Sequence, residues 1–501
     1  MKQLAVKSPS LIVFAVFVII LSFRAFALHL TPFLNSDLAV HVLMAYDLNL
    51  PEDLYYWGQS RLGSLLPILA HGLLRISSIS PIQAVSYVHY LFIVIGFFCF
   101  ASLFRQNLTK IIFSLVWFLP PAYFTASVEP VQPYSLQFSL IGISVVAIQQ
   151  LMNEWQQPAV RKAFLTLVAV SSLFLSLWVS DLSIVTIFLL ITLLLNRFLK
   201  STSFSQIAIL KQRSTLYIAL LSLGWMVFIV YAKLHASKVD LRAGLAGINI
   251  RSSIKVISIC LTSIKDTILF FVNNFLLSIY AIGCLLILTY LIIRFFQRFK
   301  TSLVYTQFWM VFFGLNALVN LALVLNSHWV YINHVDSRYF ASVYIPLWLF
   351  TLLFFDRLNS FKTKPALVAI LLIVILGSAS SPNQVFSLKK PNSTFSDLRS
   401  LEKLAPAGFI GDYWTAYLMC SVDPKNLSCT PHQDKEVRCL RCVDRVLKAP
   451  VIYLIKEHWF DTFPREIQQF GRRLRKQGEV QKISGYTFAP YEIVQASKGS
   501  T

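Results

Sequence analysis

What most constrains this chain is a recurrence of about eleven apolar runs, each close to the length that spans a lipid bilayer. They cover residues 11–30, 82–104, 111–127, 134–151, 163–180, 182–196, 215–234, 267–293, 303–325, 339–355 and 365–379. In hydrocarbon a segment must satisfy its own backbone N–H and C=O groups, so each run is expected to be a helix. Composition agrees, because 56% of the 501 residues are hydrophobic and 13% charged, which a water-facing surface could not carry without large apolar patches. The expected fold class is an all-α polytopic membrane protein.

The formal charge of +21 reads first as cytoplasmic loops and only then as a nucleic-acid surface. Expected inner loops hold Arg105 and Lys110; Arg161 and Lys162; Arg197, Lys200, Lys211 and Arg213; Arg294, Arg298 and Lys300; and Arg357, Lys362 and Lys364. Lys2 and Lys7 precede a first run too long for the core of a signal peptide, which places an uncleaved N-terminus in the cytoplasm. One expected outer loop, 235–266, breaks the pattern through Lys238, Arg242, Arg251, Lys255 and Lys265. The expectation is a multi-pass plasma-membrane protein with its C-terminal part outside the cytoplasm.

Composition divides the chain into a membrane domain, 1–379, with a first outer loop at 31–79, and an extracytoplasmic segment, 380–501. The second part gains polar residues and strand-like runs at Phe409–Tyr413 and Val451–Ile455, as in a small α/β domain. A helix is expected over Pro464–Lys476, with Phe463, Ile467, Phe470 and Leu474 on one face. Cys420, Cys429, Cys439 and Cys442 fall in this segment, an even set suited to disulfides in an oxidising compartment. Zinc is the rival reading.

The chemistry-bearing residues gather in the first outer loop. A short helix is expected after Asn35, with Ser36 or Asp37 as its cap; alternatively the Asp37 carboxylate takes a proton from an acceptor hydroxyl. His41, one turn on, is either an interfacial histidine or a substrate or metal contact. Tyr55, Tyr56 and Trp57 fit an aromatic belt at the membrane surface. A belt leaves Gln59, Ser60 and Arg61, set between Gly58 and Gly63, unexplained. Those groups supply donors for a sugar or phosphate, and Arg61 has the fork geometry for phosphate. Asp181 caps a helix or adds a second acid. Arg338 snorkels at a helix end or meets an anion. No phosphate-binding P-loop, dinucleotide fingerprint or His-Glu-x-x-His pattern occurs.

The acidic residue just past the first span, the aromatic and polar stretch at 55–67, the many spans and the C-terminal domain together resemble the GT-C superfamily of membrane glycosyltransferases. That superfamily includes protein O-mannosyltransferases and lipopolysaccharide aminoarabinose and galacturonic acid transferases. The resemblance implies a polyprenyl-phosphate sugar donor, Asp37 as catalytic base, and Arg338, within Asp336-Ser337-Arg338-Tyr339, facing the donor phosphate. The chain has Asp37-Leu38 where many members have Asp-Glu, and Gln59–Ser64 where many have a His-Pro-Pro element. The sugar and any divalent metal are therefore open. The expected activity is inverting transfer to a lipid, glycan or protein acceptor. A lipid or glycan transporter and a non-catalytic membrane scaffold are the alternatives.

Overall fold

The computed structural model describes residues 9–32, 34–130, 133–153, 158–201, 213–236, 250–269, 274–299, 308–357, 363–381 and 393–494. Lys2, Lys7, Lys211, Lys238, Arg242, Lys300 and Lys362 lie outside them. Seven helices are long and apolar enough to cross a membrane: Pro81–Ala101, Tyr134–Asn153, Ala159–Val179, Leu216–His235, Phe275–Arg294, Phe308–Asn326 and Ser337–Arg357. Shorter apolar helices, Leu11–Phe26, Asn107–Phe118, Ser183–Arg197 and Lys364–Ala379, occupy the remaining expected runs. The run at 111–127 is cut short for a local reason: Pro120 and Pro121 follow Leu119, and proline cannot continue a helix. Part of the expected outer loop 235–266 is itself a helix, Ile250–Ile268. Ile254, Ile257, Leu261 and Ile264 are exposed along it at helical spacing, the pattern of a segment lying along an interface.

Contacts divide the chain differently from composition. One compact unit comprises Met1–Ala25, Leu91–Ile229 and Arg242–Phe386. The other joins Phe26–Tyr90, Val230–Leu241 and Ser387–Thr501, so the first outer loop belongs with the C-terminal segment. Within the first unit, Phe308–Asn326 packs on Ala341–Arg357. Buried Asn316 there donates to Thr186 Oγ1 at 2.8 Å, which satisfies an amide that lipid could not.

The second unit is built from four helices of eight or more residues that bear on the site and one mixed sheet. The helices are α1 (Ser36–Tyr46), α2 (Leu65–Ile76), α3 (Tyr413–Cys420) and α4 (Leu440–Lys448). The strands are β1 (Ala407–Gly411), β2 (Leu427–Pro431), β3 (Ile452–Ile455), β4 (Glu466–Gln469), β5 (Arg472–Lys476), β6 (Gln481–Ile483) and β7 (Tyr486–Ile493). Their order is β2-β1-β3-β7-β5-β4, with β6 on β7. β1 runs parallel to β2 and β3, with α3 and α4 as the crossovers; the rest is antiparallel. Ile410, Val446, Ile452, Leu454, Leu474, Ala489 and Tyr491 form the core.

The expected helix at 464–476 is instead the β4–β5 hairpin, with Ile467 opposite Leu474. Phe470 and Gly471, at φ 48° and 72°, make its turn. Phe463, Ile467, Phe470 and Leu474 do share one buried surface. Their spacing suited both periods, and the charged neighbours of Leu474 in Arg472–Lys476 mark the strand.

Candidate active site

Asp37 sits in the first turn of α1, yet it does not cap that helix. Asn35 does, its Oδ1 accepting from Leu38 N at 3.1 Å. The capping reading of Ser36 or Asp37 is thereby corrected: Asn35 has the extended backbone that a cap requires, at φ −133° and ψ 176°. The Asp37 carboxylate is left partly exposed for other work. The Tyr413 hydroxyl donates to its Oδ1, and no bond to Oδ2 occurs among the described residues.

Tyr413 reaches Asp37 because of where its helix begins. β1 ends at Gly411, and α3 starts two residues on. The carboxyl ends of parallel strands are where open α/β sheets bind ligands. Burial, and then the charge of Asp37, hold the Tyr413 phenol well above its ordinary pKa, so it stays protonated and remains a donor. Tyr56, fully buried, donates to the Asp37 carbonyl at 2.9 Å. His41 is buried one turn along α1, edge-on to Tyr56 at 5.0 Å.

The loop ahead of α2 is fixed at both ends. Tyr56 N donates to Leu62 O at 2.8 Å, Ser64 N donates to Leu54 O at 3.1 Å, and Tyr55 bridges to Gly63. Gln59 N closes a turn on Tyr56 O at 3.0 Å, and Arg61 is partly exposed at the tip. Trp57 is buried, not a belt residue facing lipid; its Nε1 donates to Asp53 Oδ1 at 2.9 Å.

α4 holds this loop from the other side. Arg441 bonds buried Asp53 and pairs with Asp47 at 3.0 Å, while Arg445 also meets Asp47. The Arg441 guanidinium lies over the Trp57 ring at 5.5 Å. Burial pushes the Asp53 carboxyl upward, and its bonds to Arg441, the Asn49 N–H and Trp57 draw it back. Cys420 pairs with Cys429 and Cys439 with Cys442; the second pair closes the first turn of α4.

Arg438, just before α4, went unremarked in the sequence. It is 9% exposed, its guanidinium lies over the Tyr413 ring at 5.2 Å, and one terminal nitrogen donates to Gly58 O at 3.3 Å. The approach is close enough to require glycine: a Cβ on Gly58, at φ 70°, would lie 2.6 Å from Arg438 Cδ.

The unit around Asp37 thus collects Asp37, His41, Tyr56, Trp57, Gln59 and Arg61. Asp181 and Arg338 belong to the other unit. Arg338 pairs there with Asp336 at 3.5 Å and lies over Tyr339; Asp181 is exposed at a turn. Among the described residues no three of His, Cys, Asp and Glu converge to hold a metal.

No protein-family model matches the chain, and no curated protein matches it in sequence. Solved structures do. ArnT from Cupriavidus metallidurans bound to undecaprenyl phosphate aligns with a TM-score of 0.55 at 8% identity, over 96% of this chain and 97% of that one. Its apo state gives 0.51 at 8% identity, with the same 96% and 97% coverage. Archaeal oligosaccharyltransferase AglB from Archaeoglobus fulgidus, in complex with an inhibitory peptide and a dolichol-phosphate, gives 0.44 at 11% identity, over 90% of this chain and 70% of that one. The chain has the fold of ArnT.

Proposed function

We propose that the protein is an inverting glycosyltransferase that moves a sugar from a polyprenyl phosphate to an acceptor hydroxyl on the outer face of the plasma membrane. The bond from the sugar's anomeric carbon to the phosphate oxygen breaks, a bond from that carbon to the acceptor oxygen forms, and Asp37 takes the acceptor proton. Polyprenyl phosphate leaves. The observation that carries this reading is the state of Asp37: Asn35 frees it from capping, Tyr413 holds one oxygen, and the other takes no bond among the described residues. A fold like that of ArnT solved with undecaprenyl phosphate supports the class of donor.

Arg61 is proposed to meet the departing phosphate. His41, Tyr56, Trp57 and Gln59 are proposed to shape the substrate site, Tyr56 by fixing the backbone of Asp37 and Trp57 by fixing the loop. The orientation proposed has the N-terminus in the cytoplasm and residues 387–501 outside. Mass spectrometry of envelope glycans and lipids from a strain lacking the chain tests the activity. Loss of one sugar from one glycan, lipid or protein is expected. An unchanged envelope, with a gradient-driven flux of lipid or glycan in sealed vesicles, would favour transport instead.

A further inference from the structure

Three arginines, Arg438 just before α4 and Arg441 and Arg445 within it, follow nearly helical spacing, and they are not treated alike. Arg441 and Arg445 are neutralised by Asp47 and Asp53. Arg438 is the most deeply buried of the three and pairs with no carboxylate among the described residues. Its contacts are neutral: a Gly58 carbonyl and the face of Tyr413. Among the described residues its buried Nε has no acceptor. A guanidinium removed from water without a counter-charge is costly, and such a group persists where an anion completes it.

The surroundings fix Arg438 in place. Its own N–H donates to the Tyr417 hydroxyl at 2.8 Å, and Gly58 leaves space for its side chain. Tyr413 presents a ring face to Arg438 and its hydroxyl to Asp37, so one residue separates the cation from the carboxylate.

We propose that Arg438 is an anion-binding residue that receives a phosphate group next to Asp37. The assignment of that phosphate to the sugar donor rests on the proposed glycosyl transfer. During transfer Asp37 loses its negative charge on taking the proton, and the departing polyprenyl phosphate gains one. A guanidinium beside both favours that movement of charge. Its terminal N–H groups have the fork geometry that phosphate oxygens accept.

The test is equilibrium binding to the full chain in nanodiscs, which needs no turnover and so stands or falls apart from the transferase reading. The probes are undecaprenyl phosphate, neutral undecaprenol and inorganic phosphate. Arg438→Gln is expected to weaken undecaprenyl phosphate at least tenfold and to leave undecaprenol unchanged. Its thermal midpoint without phosphate should be no lower than wild type, because an uncompensated buried charge has been removed. If only inorganic phosphate binding depends on Arg438, the phosphate belongs to an acceptor rather than the donor. If neither depends on it, or if Arg438→Gln fails to fold while Arg438→Lys binds both phosphates as wild type does, the residue is structural and the proposal is overturned.

Discussion

Asp37 and Asp53 lie in the same loop, and their surroundings give them opposite tasks. Asp53 is buried and fully engaged by Arg441, Trp57 and the Asn49 N–H, so it holds structure. Asp37 is partly exposed and, among the described residues, engaged on one carboxylate oxygen. Tyr413→Phe removes that single donor while keeping the ring that packs against Arg438. Transfer is expected to fall about tenfold, chiefly in kcat rather than KM, because the carboxylate loses a charge-assisted bond that orients it. An unchanged kcat would show that Tyr413 does not position the base. The sequence marked Asp37 as acidic and near a span, but Tyr413 lies several hundred residues away, and nothing local in the chain announces such a partner.

Among the elements, α4 is the fastening of the first outer loop. Arg441→Ala would leave buried Asp53 without its cation and is expected to cost about 3 kcal/mol, read as a lower unfolding midpoint. Asp53→Asn, which keeps the bonds to Trp57 and Asn49 within reach, should cost less. Equal midpoints for Arg441→Ala and wild type would remove α4 from that role. The cysteines of this region give a second measurement. Cys420, Cys429, Cys439 and Cys442 should resist alkylation until reductant is added, whereas Cys99, Cys260 and Cys284 are free thiols. Prompt alkylation of all four before reduction would contradict the pairing.

The limits of sequence reading show in these same elements. α1 was legible from its polar start and apolar body, but Asn35, Ser36 and Asp37 are all good caps, and only the backbone at Asn35 decides among them. The β4–β5 hairpin was read as a helix because four apolar residues fit both periods; the turn at Phe470-Gly471 was the overlooked signal. Arg438 was missed because isolation from carboxylates is a property of the packed unit, not of its neighbours in the chain.

At the scale of the whole molecule, lipid dictates apolar helices so strongly that their places could be read from apolar length, although only seven of the eleven expected runs give described helices long and apolar enough to cross a membrane. Domain limits could not, since the unit holding Asp37 joins Phe26–Tyr90 to Ser387–Thr501 through long-range ion pairs and hydrogen bonds. That union requires residues 45 and 430 to lie on one side of the membrane. A cysteine-labelling map is expected to find both outside, and labels on opposite faces would be incompatible with the Asp47–Arg441 and Asp37–Tyr413 contacts.

Asp37 is proposed to be the base of a glycosyl transfer, and the decisive measurement replaces it with asparagine in a strain lacking the native chain. Asparagine changes the carboxylate without touching the Asn35 cap. The envelope is read by mass spectrometry, with expression level and undecaprenyl phosphate binding as controls. Asp37→Asn protein is expected to insert, bind the lipid, and transfer sugar about 10² to 10⁴-fold more slowly, leaving the product absent or nearly so. Restoration of the product to the wild-type level by Asp37→Asn would contradict it.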